Sequence, residues 1–158
     1  RAAGIDYELS YRWDTDIGSF SAAVYGTEFT RYLTAAAAGA PEDDMLDKID
    51  NPPKTRLRAD LGWDNGPWRV STRFTWIGAY ENHLVRPSQR VGATKVVDLH
   101  ADYRFDNDTG PLANVMVALD VENLFDTEPE FVDILGGFDA QVASAIGRMV
   151  SLSVRKSW

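Results

Sequence analysis

Apolar and polar residues alternate along most of the chain with a period of two. Over residues 4–13, Ile5, Tyr7, Leu9, Tyr11 and Trp13 take one side and Asp6, Glu8, Ser10 and Arg12 the other. Successive side chains of an extended chain point to opposite sides, so this period predicts a strand with one oily and one wet face. The same pattern predicts a second strand through Phe20, Ala22, Val24 and Gly26 to about Leu33, and a third over residues 55–63. A fourth carries Trp68, Val70, Thr72, Phe74 and Trp76, and a fifth Val97, Leu99, Ala101, Tyr103 and Phe105. The sixth alternates Val115, Val117, Leu119 and Val121 with Met116, Asp120 and Glu122; the seventh places Val150, Leu152, Val154 and Trp158 on one side. The fold class is therefore all-β, an antiparallel up-and-down meander of about seven strands.

The connections run short, long, short, long, short, long. Residues 14–18, 64–67 and 106–112 are short turns rich in Asp, Asn and Gly, and Asn65-Gly66 is a hairpin signal whose turn type is left open by Pro67. Residues 34–54, 81–95 and 126–146 are long connections. The first holds an alanine run, a carboxylate cluster (Glu42, Asp43, Asp44, Asp47, Asp50) and Pro52-Pro53, which reads as a surface loop. Turns and loops are mixed at both ends of a soluble sandwich. Outer-membrane barrels segregate them, with short turns on the periplasmic side and long loops outside. Trp13, Trp63, Trp68 and Trp158 fall on the short-turn rim with Phe20 and Phe105, while Trp76 and Tyr80 fall toward the long-loop rim. Two aromatic belts of this kind are expected where a barrel meets the two faces of a bilayer.

The wet face carries Asp6, Glu8, Arg12, Arg56, Arg58, Asp60, Arg69, Arg73, Asp98, Asp102 and Arg104, among others. A small closed barrel fills its interior with side chains and could not bury so many charges. That face is expected to look onto water, with Arg56, Arg58, Arg69 and Arg73 pairing across strands with Asp60, Asp98 and Asp102. Over 158 residues the formal charge is −8, which argues against a nucleic-acid surface, and the absence of cysteine excludes disulfides and thiolate metal sites. No apolar run approaches a membrane-spanning helix, and barrel strands need none. The sequence opens at Arg1 with no signal segment and enters a strand almost at once, which predicts a piece of a larger polypeptide.

Candidate chemistry is thin. The carboxylates from Glu42 to Asp50 lack the glycine placement of a calcium loop and read as a solvated surface; His83 and His100 stand apart from each other. No metal and no cofactor is expected. Pairs such as Asp6 and Glu8, or Asp98 and Asp102, lie about 7 Å apart on one strand, near glycosidase spacing, but every strand has such pairs. With no nucleophile elbow or phosphate loop, the chain reads as a non-enzyme. Position in the long loops makes Tyr80, Asn82, His83, Arg86, Gln89, Phe131, Phe138 and Gln141 the candidate ligand contacts.

The sixth strand leads into Glu122-Asn123-Leu124-Phe125-Asp126-Thr127-Glu128-Pro129, and after the third long loop come Gly147-Arg148-Met149-Val150 and a strand finishing on Trp158. This pairing resembles the carboxy-terminal signature of TonB-dependent outer-membrane receptors. Phe138-Asp139 resembles that family's aromatic-Asp loop element, and Val97-Asp98-Leu99 and Tyr103-Arg104-Phe105 resemble the strand before. The likeness is good over residues 55–158 and patchier over 1–54. It implies that residues 1–158 are the last seven strands of a barrel of the 22-stranded, plugged type, whose whole wall would need roughly 500 residues. It further implies a bacterial outer-membrane location and active uptake of a scarce nutrient such as an iron chelate (a siderophore), a cobalamin or an oligosaccharide. The implied partners are the TonB complex, reached through an amino-terminal plug and contact segment outside this sequence, and outer-membrane lipid and lipopolysaccharide. Val150, Leu152, Val154 and Trp158 are similar to the signal read by the barrel-assembly machinery. The alternatives are a soluble antiparallel β binding module, which would need a second layer over its oily face, and a small self-contained outer-membrane barrel, for which seven strands is an odd number.

Overall fold

The computed structural model describes residues 1–105, 107 and 109–157. Trp158 of the expected last strand, and Asp106 and Asp108 of the expected third short turn, lie outside the described residues. Among the described residues ten strands occur in chain order: β1 (Ala2–Thr15), β2 (Gly18–Ala35), β3 (Glu42–Asp44), β4 (Thr55–Asn65), β5 (Trp68–Ile77), β6 (Tyr80–Asn82), β7 (Gln89–Val91), β8 (Thr94–Arg104), β9 (Val115–Glu122) and β10 (Met149–Lys156). The seven long ones are the seven expected from the alternation. They pair antiparallel in the order β1-β2-β4-β5-β8-β9-β10, each beside its predecessor among the long strands, which is a meander.

Alternation is kept in register from edge to edge. Trp13 pairs with Phe20, and the row continues through Trp63, Val70, Ala101, Leu119 and Leu152. One residue along, Asp14, Ser19, Asp64, Arg69, Asp102, Ala118 and Ser153 form the next row. A one-residue slip in any strand would put charges among the oily side chains, so the pattern that makes the strands also fixes their pairing. Two of the short turns contain two residues each, since Thr15 pairs with Gly18 and Asn65 with Trp68. In the second, Gly66 has φ 56° and Pro67 follows; the proline ring forbids the positive φ that a type I′ turn needs there, so the order fits type II′.

Among the described residues the oily face has no second layer. Leu9, Tyr11 and Leu152 are 71, 68 and 72 % exposed. The cluster of buried apolar side chains lies instead among the long loops, formed by Ile49, Tyr80, Val91 and Val132. On the short-turn rim Trp13 stacks on Phe20 with ring centres 5.5 Å apart, Tyr103 meets Trp68 and Phe105 edge-on, and the Trp63 indole donates to the Ile17 carbonyl at 2.8 Å.

The loops hold more structure than their composition suggested. Residues 34–54, expected as plain surface loop, contain β3, which extends the end of β2 by pairing Leu33 with Asp44 and Ala35 with Glu42. The second loop contains the hairpin β6-β7. Three-residue strands are too short to show a period, which is why alternation passed over them. The Asn123-Leu124-Phe125-Asp126 motif closes a clasp. Asn123, at φ 52°, binds both backbone groups of Thr127 through its side-chain amide, and an Asp126 carboxylate oxygen accepts the Arg148 N–H at 2.8 Å. Arg148 in turn donates to the Leu124 carbonyl at 3.2 Å. The end of β9 is thus tied to the start of β10 across the third loop, a physical reason for the motif to accompany Gly147-Arg148.

Candidate functional site: a stitched loop layer over a charged wall

All three long loops meet above the wet face. The Ile49 N–H donates to the Glu81 carbonyl at 2.9 Å and the Glu81 N–H to the Asp47 carbonyl at 2.7 Å, pairing the first loop with β6. Beneath this contact Ile49, Tyr80, Val91 and Val132 pack with Ile134 and Val142, so every loop contributes to one small core. Tyr80 is only 6 % exposed, and its hydroxyl donates to Asp139. Burial, and then the neighbouring Asp139 carboxylate, push the phenol above its usual range because both disfavour the anion.

The expected ligand contacts separate into two groups. Tyr80 and Asn82 are inside the layer: Asn82 is fully buried, its amide donating to the Asp133 carbonyl and accepting the Leu84 N–H. Burial takes both out of the contact surface, and it also removes Tyr80 from the lipid-side belt in which its aromatic ring had placed it. Gln89 is engaged with the third loop, donating to the Phe131 carbonyl and accepting the Asp133 N–H, each at 2.9 Å. Arg86 and Gln141 are exposed, Phe131 is 66 % exposed, and Phe138 and His83 are half-buried. Gln141 reaches the Asp50 carboxylate of the first loop at 3.4 Å. His83 Nδ1 is buried without a hydrogen-bond partner.

Below the loops the wall is a lattice of charge. Arg58 donates from Nε and Nη2 to one Asp60 oxygen at 2.8 and 2.6 Å, while Arg73 donates to the other at 2.9 Å. Arg69 binds Asp64 at 2.9 Å. Arg58 and Arg73 with Asp60 are pairs of the kind expected, whereas the other partners differ: Arg69 takes Asp64, Asp98 accepts the Asn123 N–H, and Asp102 faces His100. His100 lies between two carboxylates, Nδ1 2.6 Å from Asp120 and Nε2 3.1 Å from Asp102. The signal for this trio was present in the sequence, since Asp102 is two residues on and Asp120 is on the following strand, but only the register joins them. The Arg58 guanidinium sits 5.1 Å over the Tyr25 ring. Two concavities of about 680 and 480 Å³ share Asp6, Thr27 and Arg56; the first is lined by Asp50 and Gln141 of the loops and the second by Tyr25 and Arg58 of the wall.

A single sheet, oily and uncovered on one side, charged on the other, with turns at one rim and stitched loops at the opposite rim, is the wall of a membrane β-barrel. Among the described residues no helix is long and apolar enough to cross a membrane, and a barrel crosses with strands. The chain belongs to the TonB-dependent receptor-like β-barrel family, whose model matches residues 1–124. The match takes in residues 1–54, where the carboxy-terminal motifs offered least, and it ends at Leu124, inside the clasp motif. The family is one of outer-membrane receptors and transporters, not of enzymes. Neither the curated proteins nor the solved structures give a match to this chain.

Proposed function

We propose that this chain forms part of the wall of an outer-membrane receptor that imports a scarce nutrient with energy delivered through TonB. The observation that carries the reading is the two-faced sheet of a receptor-family barrel under a stitched loop layer. In this reading residues 1–158 are the carboxy-terminal part of a larger barrel, of the 22-stranded type, and a plug fills the lumen beside the charged wall. The outer face meets lipid, with lipopolysaccharide around the loops, and the barrel-assembly machinery reads the last strand. The nutrient enters past the loops, touching His83, Arg86, Phe131, Phe138 and Gln141, while Tyr80, Asn82 and Gln89 support that surface from behind.

Uptake of a labelled ferric chelate, cobalamin and oligosaccharide, in cells with and without TonB, tests the transport class. Loss of uptake of one of them without TonB is expected. Substituting Arg86, Phe131 and Gln141 together by alanine should lower that uptake with barrel assembly unchanged; undiminished uptake discards the contact surface. An antibody against the carboxy-terminal peptide should detect an outer-membrane band several times heavier than 17.6 kDa. A band near that mass would discard the larger barrel.

A further inference from the structure

Gln89 lies at the centre of the loop layer, and its side chain does what a strand edge does. Its amide nitrogen donates to the Phe131 carbonyl and its amide oxygen accepts the Asp133 N–H. This is the two-bond exchange by which one backbone pairs with another. Two further bonds flank it, the Gly92 N–H to the Glu130 carboxylate at 2.6 Å and the buried Asn82 amide to the Asp133 carbonyl at 3.1 Å. The third loop is therefore sewn to one side of the β6-β7 hairpin by side chains. On the other side the first loop is joined by backbone, through Ile49, Glu81 and Asp47. First and third loops meet directly where Gln141 reaches Asp50, and all three share the core of Ile49, Tyr80, Val91 and Val132. No loop can leave without exposing the apolar faces of the other two.

We infer that the three long loops open and close as one body, and that Gln89 is the positioning residue that couples the third loop to the other two. It is not a ligand contact, because both ends of its amide are spent on backbone groups of the third loop. Units that share a core unfold together, whereas independent loops open separately. The coupling can be read at amides that Gln89 does not touch: the Ile49 and Glu81 N–H groups bind between the first loop and β6, and the Val132 N–H binds Gly137 within the third loop.

Amide hydrogen exchange on the intact protein in its membrane, wild type against Gln89→Ala, tests this. Loss of two hydrogen bonds should accelerate Ile49, Glu81 and Val132 by one common factor, about tenfold, and leave the amides of β5 unchanged. Faster exchange at Val132 alone would give Gln89 a merely local role and overturn the inference, as would no change at any of the three. If Gln89→Ala fails to assemble, the wild type decides: in a urea series below the barrel transition the three amides should converge on a single opening with one denaturant slope, and three separate slopes would overturn the single body. Gln89→Glu, which keeps the acceptor toward Asp133 and loses the donor toward Phe131, should accelerate the same three amides together by a smaller factor.

Discussion

Tyr7 lies across Gly26, its directly paired residue on the next strand, so closely that a Cβ on Gly26 would collide with the ring carbon Cζ. An aromatic ring covering a bare glycine of the neighbouring strand restores the side-chain contact that the glycine lacks. Gly26→Ala should push the ring off its seat and cost about 1–3 kcal/mol. Thermal unfolding of the barrel, followed by its shift on unheated gels, measures the loss. A wild-type midpoint would show that the ring has room to move aside.

Leu99 stands on the oily face between the row of Trp76 and the row of Trp68, while Ser71, paired with His100, stands on the charged face. Leu99→Arg should cost about 2–4 kcal/mol if that face meets lipid, and Ser71→Arg close to nothing. Yields of assembled barrel for the two variants separate them. Equal yields would contradict the assignment of faces.

Asp60 holds Arg58 and Arg73 at once. Both arginine side chains are about half exposed, so water screens the attraction, and Asp60→Ala should cost only about 1 kcal/mol. The difference from wild type should shrink in high salt, because what remains is largely Coulombic. A salt-independent difference would point to packing as the cause.

Asp126 accepts the Arg148 N–H from a backbone at φ 55°, a conformation that asparagine and aspartate tolerate better than alanine. Asp126→Ala loses the bond and the tolerance together and should cost about 2 kcal/mol; Asp126→Asn keeps an acceptor and should cost less than half of that. Denaturant midpoints of the two variants give the comparison, and equal losses would remove the clasp from the account.

Tyr80 sets an alkaline limit on the loop layer. Its phenol is raised above the ordinary value near 10 by burial and by Asp139, so the unfolded chain ionises first as pH rises. The stabilisation from Tyr80 is complete below about pH 10 and is lost as pH climbs from there toward the folded value. Protease cleavage within the loops should therefore rise in the wild type between about pH 10 and 11, and rise less in Tyr80→Phe. Parallel pH profiles would exclude Tyr80 as the cause.

The wall was legible in the sequence because a period of two is a global property: Ile5 to Trp13 declare a face many times over, and each strand repeats the message to its neighbours. The loop layer was not. Ile49 stands alone between Lys48 and Asp50, and Val132 lies in the short mixed run Phe131-Val132-Asp133-Ile134; neither has a repeat to mark it as core. Asn82 and Gln89 look the same in a sequence whether the amide waits for a ligand or holds another loop. Tyr80 had the composition of a belt aromatic and the surroundings of a core residue, a difference that only the fold supplies. The trio at His100 needed the register of β8 against β9, which no single strand contains.

Wall and cap rest on different chemistry. Backbone ladders hold the strands whatever side chains they carry, provided oily and wet positions keep their places, whereas the cap holds itself through a handful of particular residues such as Gln89, Asn82 and Tyr80. Heritable change can then act on the two at different rates. A lineage could exchange the whole cap while the staves beneath it stay as they are.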